Sequence, residues 1–227
     1  EIPLRLVGSE MCIRDSATTA IEFLLDETGS MWSIAAATIG GFNEYVSSQK
    51  KQPGECLFTL TKFDTTGVRP QYVDKPLRDV EYLNDQTYEP GSCTNLYDAI
   101  GERIKALEAR VDSYPAGTSI LFIIMTDGKD TDSVEHTAES VKALIQAKEK
   151  QGWTFVYLGA NQDAWKVGQT FGMAKGNTMS YAANAAGMEG AMAGLANATT
   201  AYRGLRSKGI VASASASMDF FGDKDVE

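Results

Sequence analysis

Residues 118–126 read Thr-Ser-Ile-Leu-Phe-Ile-Ile-Met-Thr, and Asp127-Gly128 follow at once. A short apolar run without polar alternation is a strand covered on both faces, as at the centre of a parallel sheet. Residues 20–25 (Ala-Ile-Glu-Phe-Leu-Leu) form a second such run, ending at Asp26, and residues 153–158 (Trp-Thr-Phe-Val-Tyr-Leu) a third. Between them the apolar spacing turns helical. Met31, Ile34, Ala35, Thr38, Ile39, Phe42, Tyr45 and Val46 predict a helix that reaches about Gln49 and stops before Pro53-Gly54. Leu96, Ile100, Ile104, Leu107 and Val111 predict another, and Val134, Val141, Leu144 and Ile145 a third. A short helix is expected over 163–171. A strand from Cys56 to Phe63 and one over residues 69–74 are expected to pair as a hairpin across Thr65-Thr66-Gly67. Strands alternating with helices make the chain α/β. The expected architecture is a three-layer open, mostly parallel sheet flanked by helices, with one antiparallel edge strand.

Composition narrows the function. The chain has 227 residues, enough to bury about 70% of its surface without disulfides or metal staples. Its net charge of −9 comes with no basic stripe, which argues against nucleic acid as a partner. No apolar run reaches about 18 residues, so no membrane-spanning helix is expected. Cys12, Cys56 and Cys93 fit neither a disulfide framework nor a zinc knuckle, which points to a reducing compartment or to no redox constraint at all, and a cytoplasmic location is expected.

The ends read differently from the middle. Residues 1–17 are expected to be a non-native or disordered leader, because 9–16 (Ser-Glu-Met-Cys-Ile-Arg-Asp-Ser) resemble translated sequencing adapter. On that reading the native start is missing. The domain is expected over 18–206, closing in an Ala- and Gly-rich helix whose Gly190 and Gly194 suit close packing. Residues 207–227 are read as a flexible acidic tail, with Phe220-Phe221 either a docking motif or part of an unstructured end.

Ligand sites in open α/β sheets form beyond the carboxyl ends of the strands, and three oxygen-rich loops fall there. Asp26-Glu27-Thr28-Gly29-Ser30 leaves the first strand, Gly91-Ser92-Cys93-Thr94-Asn95 precedes a helix, and Thr126-Asp127-Gly128 leaves the central strand. Together they offer two carboxylates, Asp26 and Asp127, and three hydroxyls, Thr28, Ser30 and Thr94. A set of hard oxygens with no histidine or cysteine suits Mg2+ or Mn2+.

The stretches LLDETGSM, GSCTNLYDAIG and IIMTDG, in this order, resemble the metal-ion-dependent adhesion site of the von Willebrand factor A domain. The likeness covers roughly residues 18–206 and departs at Thr28, where the family usually has Ser. It implies a Rossmann-like fold; the short, loop-poor chain, the low Cys count and the adapter-like start suit a microbial or phage origin. It also implies a metal bound directly by Thr28 and Ser30, by Thr94 directly or through water, and by Asp26 and Asp127 directly or through water. The position left open would take an acidic group, Asp or Glu, from a partner protein. The expected function is therefore a non-enzymatic, divalent-metal-dependent protein-binding module. A metal-dependent phosphoryl-transfer hydrolase is the alternative, although that chemistry wants a second acid where Thr28 stands. A purely structural protein with an idle metal site is the third reading.

Other residues carry weaker signals. Asp64 reads as a support for the site or as a strand-end cap. Asp130 and Asp132 read as a solvated turn and helix cap in preference to a second cation site. Asn161, Gln162 and Asp163 are candidates for the rim that selects a partner. His136, the only histidine, is expected on the surface, and with no G-x-S-x-G in the chain it supports no triad. Cys93 reads as a small loop residue in preference to an exposed thiol. No phosphate-binding loop or dinucleotide fingerprint occurs.

Overall fold

The computed structural model describes residues 18–161, 163–208 and 219–222. The expected leader, Gln162, the acidic end of the tail and Cys12 lie outside the described residues. The elements run β1 (Thr19–Asp26), a 3-10 turn (Gly29–Ile34), α1 (Ala35–Lys50), β2 (Cys56–Asp64), β3 (Gly67–Pro76), α2 (Leu96–Val111), β4 (Ser119–Thr126), α3 (Ala138–Glu149), β5 (Thr154–Ala160), α4 (Ala164–Thr170), β6 (Thr178–Tyr181) and α5 (Ala185–Arg206).

The sheet order is β3-β2-β1-β4-β5-β6. Only the β2–β3 pair is antiparallel. The expected α/β architecture with one antiparallel edge strand is therefore what the chain adopts. β1 and β4 lie side by side at the centre, which is why both read as mostly apolar runs, β1 broken only by Glu22. Alternation across the pleat sends Ile21, Phe23 and Leu25 of β1 into one core with Phe42, Tyr45, Met188 and Leu195 of α1 and α5. Ala20 and Leu24 face the other core, with Ile100 and Ile104 of α2 and Val141 and Ile145 of α3.

Three details differ from the sequence expectation. β6, four residues long, carries no pattern strong enough to announce it. The close approach between α1 and α5 is made by Gly41, where a Cβ would lie 2.7 Å from Met192 Cγ. Gly190 faces open space, and Gly194 meets Met179 of β6 instead. Phe220 is buried against Tyr202, with ring centroids 5.9 Å apart. Its N–H donates to Asn177 Oδ1 at 3.0 Å, and Phe221 N–H donates to the Gly176 carbonyl at 2.9 Å. These contacts place the Phe pair on the domain body, although it had read as part of a flexible tail.

The fourth departure is chemical. Glu22 sits inside β1 at 1% exposure. Its Oε1 accepts from Arg103 Nε at 2.8 Å and its Oε2 from Arg110 Nη2 at 3.1 Å, both arginines rising from α2. Thr61 of β2 donates to Oε1 at 3.2 Å. The ion pairs fix α2, and with it the loop that begins α2, over the central strands. No helix among the described residues is long and apolar enough to cross a membrane.

Removing Arg103 leaves the buried Glu22 carboxylate only partly compensated, by Arg110 and Thr61, whereas removing the acid as well relieves that. Arg103→Leu is expected to lower the unfolding free energy by about 3 kcal/mol or more. Adding Glu22→Leu should recover at least half of that loss, and urea unfolding of both variants measures it.

Candidate metal centre

Parallel pairing carries the carboxyl ends of β1 and β4 to the same edge of the sheet, where Asp26 and Asp127 stand. Asp26 is fully buried. Its Oδ1 accepts the Thr28 N–H at 2.7 Å, and its Oδ2 accepts the Thr126 hydroxyl at 2.5 Å. The first bond folds the chain back after Asp26 and starts the 3-10 turn, which Met31 and Ile34 anchor in the core. On that turn Thr28 Oγ1 lies 3.1 Å from Ser30 Oγ. The Ser30 hydroxyl in turn donates to Asp127 Oδ1 at 2.5 Å. Four of the five expected residues thus form one connected set.

Thr94 joins from the second loop. Gly29 N–H donates to the Ser92 carbonyl at 2.9 Å, and Gly91 N–H to the Glu27 carbonyl at 2.9 Å, so the two loops run against each other. The Thr94 carbonyl accepts from Thr131 N–H at 2.9 Å and Asp132 N–H at 3.1 Å. A Cβ at Gly128 would lie 3.0 Å from Thr94 Oγ1, so the backbone after Asp127 passes directly beside that hydroxyl. All five residues come together at one end of the sheet.

The charge balance there is unusual. Among the described residues, neither Asp26 nor Asp127 has an ion-pair partner, while Glu22, Glu27 and Asp64 are each paired with Lys or Arg. Burial pushes the Asp26 carboxyl up to about 6, against hydrogen bonds from Thr126 and Thr28 that pull it down. Burial also raises Asp127, opposed by the Ser30 hydroxyl. Two poorly compensated carboxylates with three hydroxyls beside them are a donor set that fits a hard dication. The described residues contain no group of three or more His, Cys, Asp and Glu side chains suited to a metal, and this set has only two acids.

Several supporting residues were not legible in the sequence. Thr126 closes over Asp26, and the buried Tyr88 donates its hydroxyl to the Asp26 carbonyl at 2.7 Å. Tyr88 comes from an irregular segment with no periodicity to mark it. Asp98, one turn into α2, accepts the N–H groups of Val134, Glu135 and His136.

The remaining candidates have structural partners. Asp64 accepts Thr66 N–H at 2.7 Å and Arg69 Nη1 at 2.7 Å, so it caps the hairpin turn. Asp130 Oδ1 accepts Tyr97 N–H at 3.1 Å near the start of α2. Asp163 caps α4 through Lys166 N–H, and Asn161 Oδ1 accepts Ala183 N–H at 2.8 Å. His136, expected on the surface, is half-buried. Its ring lies over Gly101, where a Cβ would come 2.4 Å from Cδ2, and its Nε2 is 3.0 Å from Lys105 Nζ. Cys93 is exposed and free.

No protein-family model matches the chain, and no curated protein matches it. Solved structures do. The pilus adhesin SpaC from Lactobacillus rhamnosus GG, in its open conformation, aligns with a TM-score of 0.61 at 12% identity over 81% of this chain and 30% of that one. Proximal thread matrix protein 1 from the mussel byssus gives 0.58 at 11% identity, over 82% of this chain and 47% of that one. A von Willebrand factor type A protein from Catenulispora acidiphila gives 0.52 at 13% identity, over 86% and 43%. The chain spans less than half the length of each. At this identity the likeness is one of fold, and the fold is von Willebrand factor A-like.

The raised Asp26 carboxyl sets a stability window in metal-free protein. Its folded value, about 6, exceeds the ordinary 3.8, so the folded state holds the proton more tightly. The associated stability is present below about pH 4 and is lost as pH rises through 6, roughly 3 kcal/mol in all. In chelator at pH 7.5, Asp26→Asn should therefore melt above wild type, and the gap should close near pH 4. Thermal unfolding of both proteins across that range checks it.

Proposed function

We propose that this domain is a divalent-metal-dependent protein-binding module. In this reading Asp26, Thr28, Ser30, Thr94 and Asp127 hold Mg2+, or Mn2+ in its place, and an acidic side chain of a partner protein completes the site. One observation carries the proposal: Asp26, buried, and Asp127, half-buried, stand together with no ion-pair partner among the described residues, in a fold that pairs its other buried acids. Three hydroxyls beside them add neutral oxygen donors without further charge.

A bound dication would supply an electrophilic centre able to accept an incoming carboxylate. The chain's own residues perform the rest. Asp26, locked by Thr28 N–H and the Thr126 hydroxyl, gives a fixed negative charge at the base of the site. Ser30 is exposed and Asp127 half-buried, so the site opens toward solvent on their side. Two carboxylates against a dication leave no excess negative charge to repel an acidic ligand. The pilus adhesin and the byssal matrix protein among the structural neighbours are in keeping with a binding role.

Phosphoryl transfer is not the favoured reading. Both oxygens of Asp26 are engaged and the residue is fully buried, which ill suits a nucleophile. The position two residues on is Thr28, not a second acid.

Mg2+ at about 100 times its dissociation constant is expected to stabilise wild type by about 2.7 kcal/mol, with reversal by chelator. Asp127→Ala and Ser30→Ala should lose most of that gain. Differential scanning calorimetry with and without Mg2+ reads the difference. Equal stabilisation of wild type and both variants would place the ion elsewhere.

A further inference from the structure

We propose that Glu27 is a positioning residue that locks the Thr94 loop against the Asp26 turn, and that Lys62 and Arg69 of the β2–β3 hairpin hold it in place. The inference rests on the metal-centre reading above and adds a support that the five-residue set does not contain.

Glu27 lies between two of the expected ligands and is 3% exposed. Its N–H donates to the Phe63 carbonyl at the end of β2, at 3.0 Å. Its Oε1 accepts Lys62 Nζ at 2.8 Å and the Glu89 N–H at 2.8 Å, and its Oε2 accepts Arg69 Nη2 at 2.9 Å. Its carbonyl takes the Gly91 N–H at 2.9 Å. Side chain and main chain therefore grip residues 89 and 91 together, and the next residue, Ser92, accepts the Gly29 N–H at 2.9 Å. The chain is pinned against the Asp26 turn at three successive points just before it delivers Thr94. Beyond Thr94, the N–H groups of Thr131 and Asp132 take over through the Thr94 carbonyl.

The position calls for a carboxylate of this length. All three groups facing the side chain are donors, and an ionised acid is acceptor-only. An amide would turn its NH2 toward Lys62, Arg69 or Glu89 N–H. Charge matters too. Lys62 also donates to the Thr87 carbonyl at 2.6 Å, and Arg69 also pairs with Asp64 at 2.7 Å. Glu27 and Asp64 thus balance Lys62 and Arg69, so the clamp adds no net positive charge beside a site meant for a cation.

Mn2+ titration by calorimetry on the full chain tests this with a double-mutant cycle. Thr94→Ala and Glu27→Gln are each expected to weaken Mn2+ binding about tenfold. The double variant should also stand near tenfold, because both changes act on one ligand. Glu27→Asp keeps the charge but loses reach, and it too should weaken binding about tenfold. A double variant weakened about a hundredfold would show independent effects and overturn the proposal. Wild-type affinity in Glu27→Asp would also overturn it, because charge alone would then suffice. Arg69→Met, on the half-exposed edge strand, covers the case in which Glu27 variants do not fold. Loss of this cation should weaken Mn2+ binding if the clamp matters; tighter binding would reduce the network to a field effect and overturn the proposal. Wild type with no Mn2+ binding removes the metal-centre reading and this inference with it. Wild-type binding with an additive cycle removes the inference alone.

Discussion

Two carboxylates without a countercharge govern this structure. A folded chain seldom leaves ionised acids buried and unpaired, because the desolvation cost is several kcal/mol per ion. This chain solves the problem elsewhere. Glu22 lies between Arg103 and Arg110, and Glu27 between Lys62 and Arg69. At Asp26 and Asp127 the relief among the described residues is hydrogen bonding from the Thr126 and Ser30 hydroxyls and from backbone N–H groups. The residual cost appears as carboxyl groups held above their ordinary range. On the proposed reading, a bound cation would offset that cost.

The fold makes that arrangement affordable. The six-stranded sheet, with apolar cores on both faces, supplies the rigidity, and the two central parallel strands end beside each other at the acids. The loops need only short spans to meet, and backbone bonds between Gly29 and Ser92 and between Gly91 and Glu27 set their spacing. The paired charges under α2 and around Glu27 then brace the elements that carry the proposed ligands. Stability and the proposed site thus use different acids in two different states, paired at Glu22 and Glu27 and without an ion-pair partner at Asp26 and Asp127.

Much of this was readable in the sequence, for definite reasons. A doubly covered strand leaves a run such as residues 119–126, and a strand end followed by Asp, Gly and hydroxyls marks a loop at the sheet's carboxyl edge. The hairpin announced itself through Thr65-Thr66-Gly67. The support was harder to see. Glu22 stands in an otherwise apolar run with nothing nearby to explain it, because the arginines that pair with it lie more than eighty residues away. Tyr88 and Glu89 belong to an irregular stretch, and the bonds by which they reach Asp26 and Glu27 span 62 positions. β6 is too short to show a period. Local pattern reports local structure, and these features depend on tertiary partners.

The most direct test is a crystal structure grown with Mn2+, with the ion located by its anomalous scattering. The account predicts a single strong peak bordered by Thr28, Ser30 and Asp127, at the roughly 2.0–2.2 Å expected for hard oxygen ligands. A map with no peak at that end of the sheet, or with manganese bound only at other acidic residues, would contradict it.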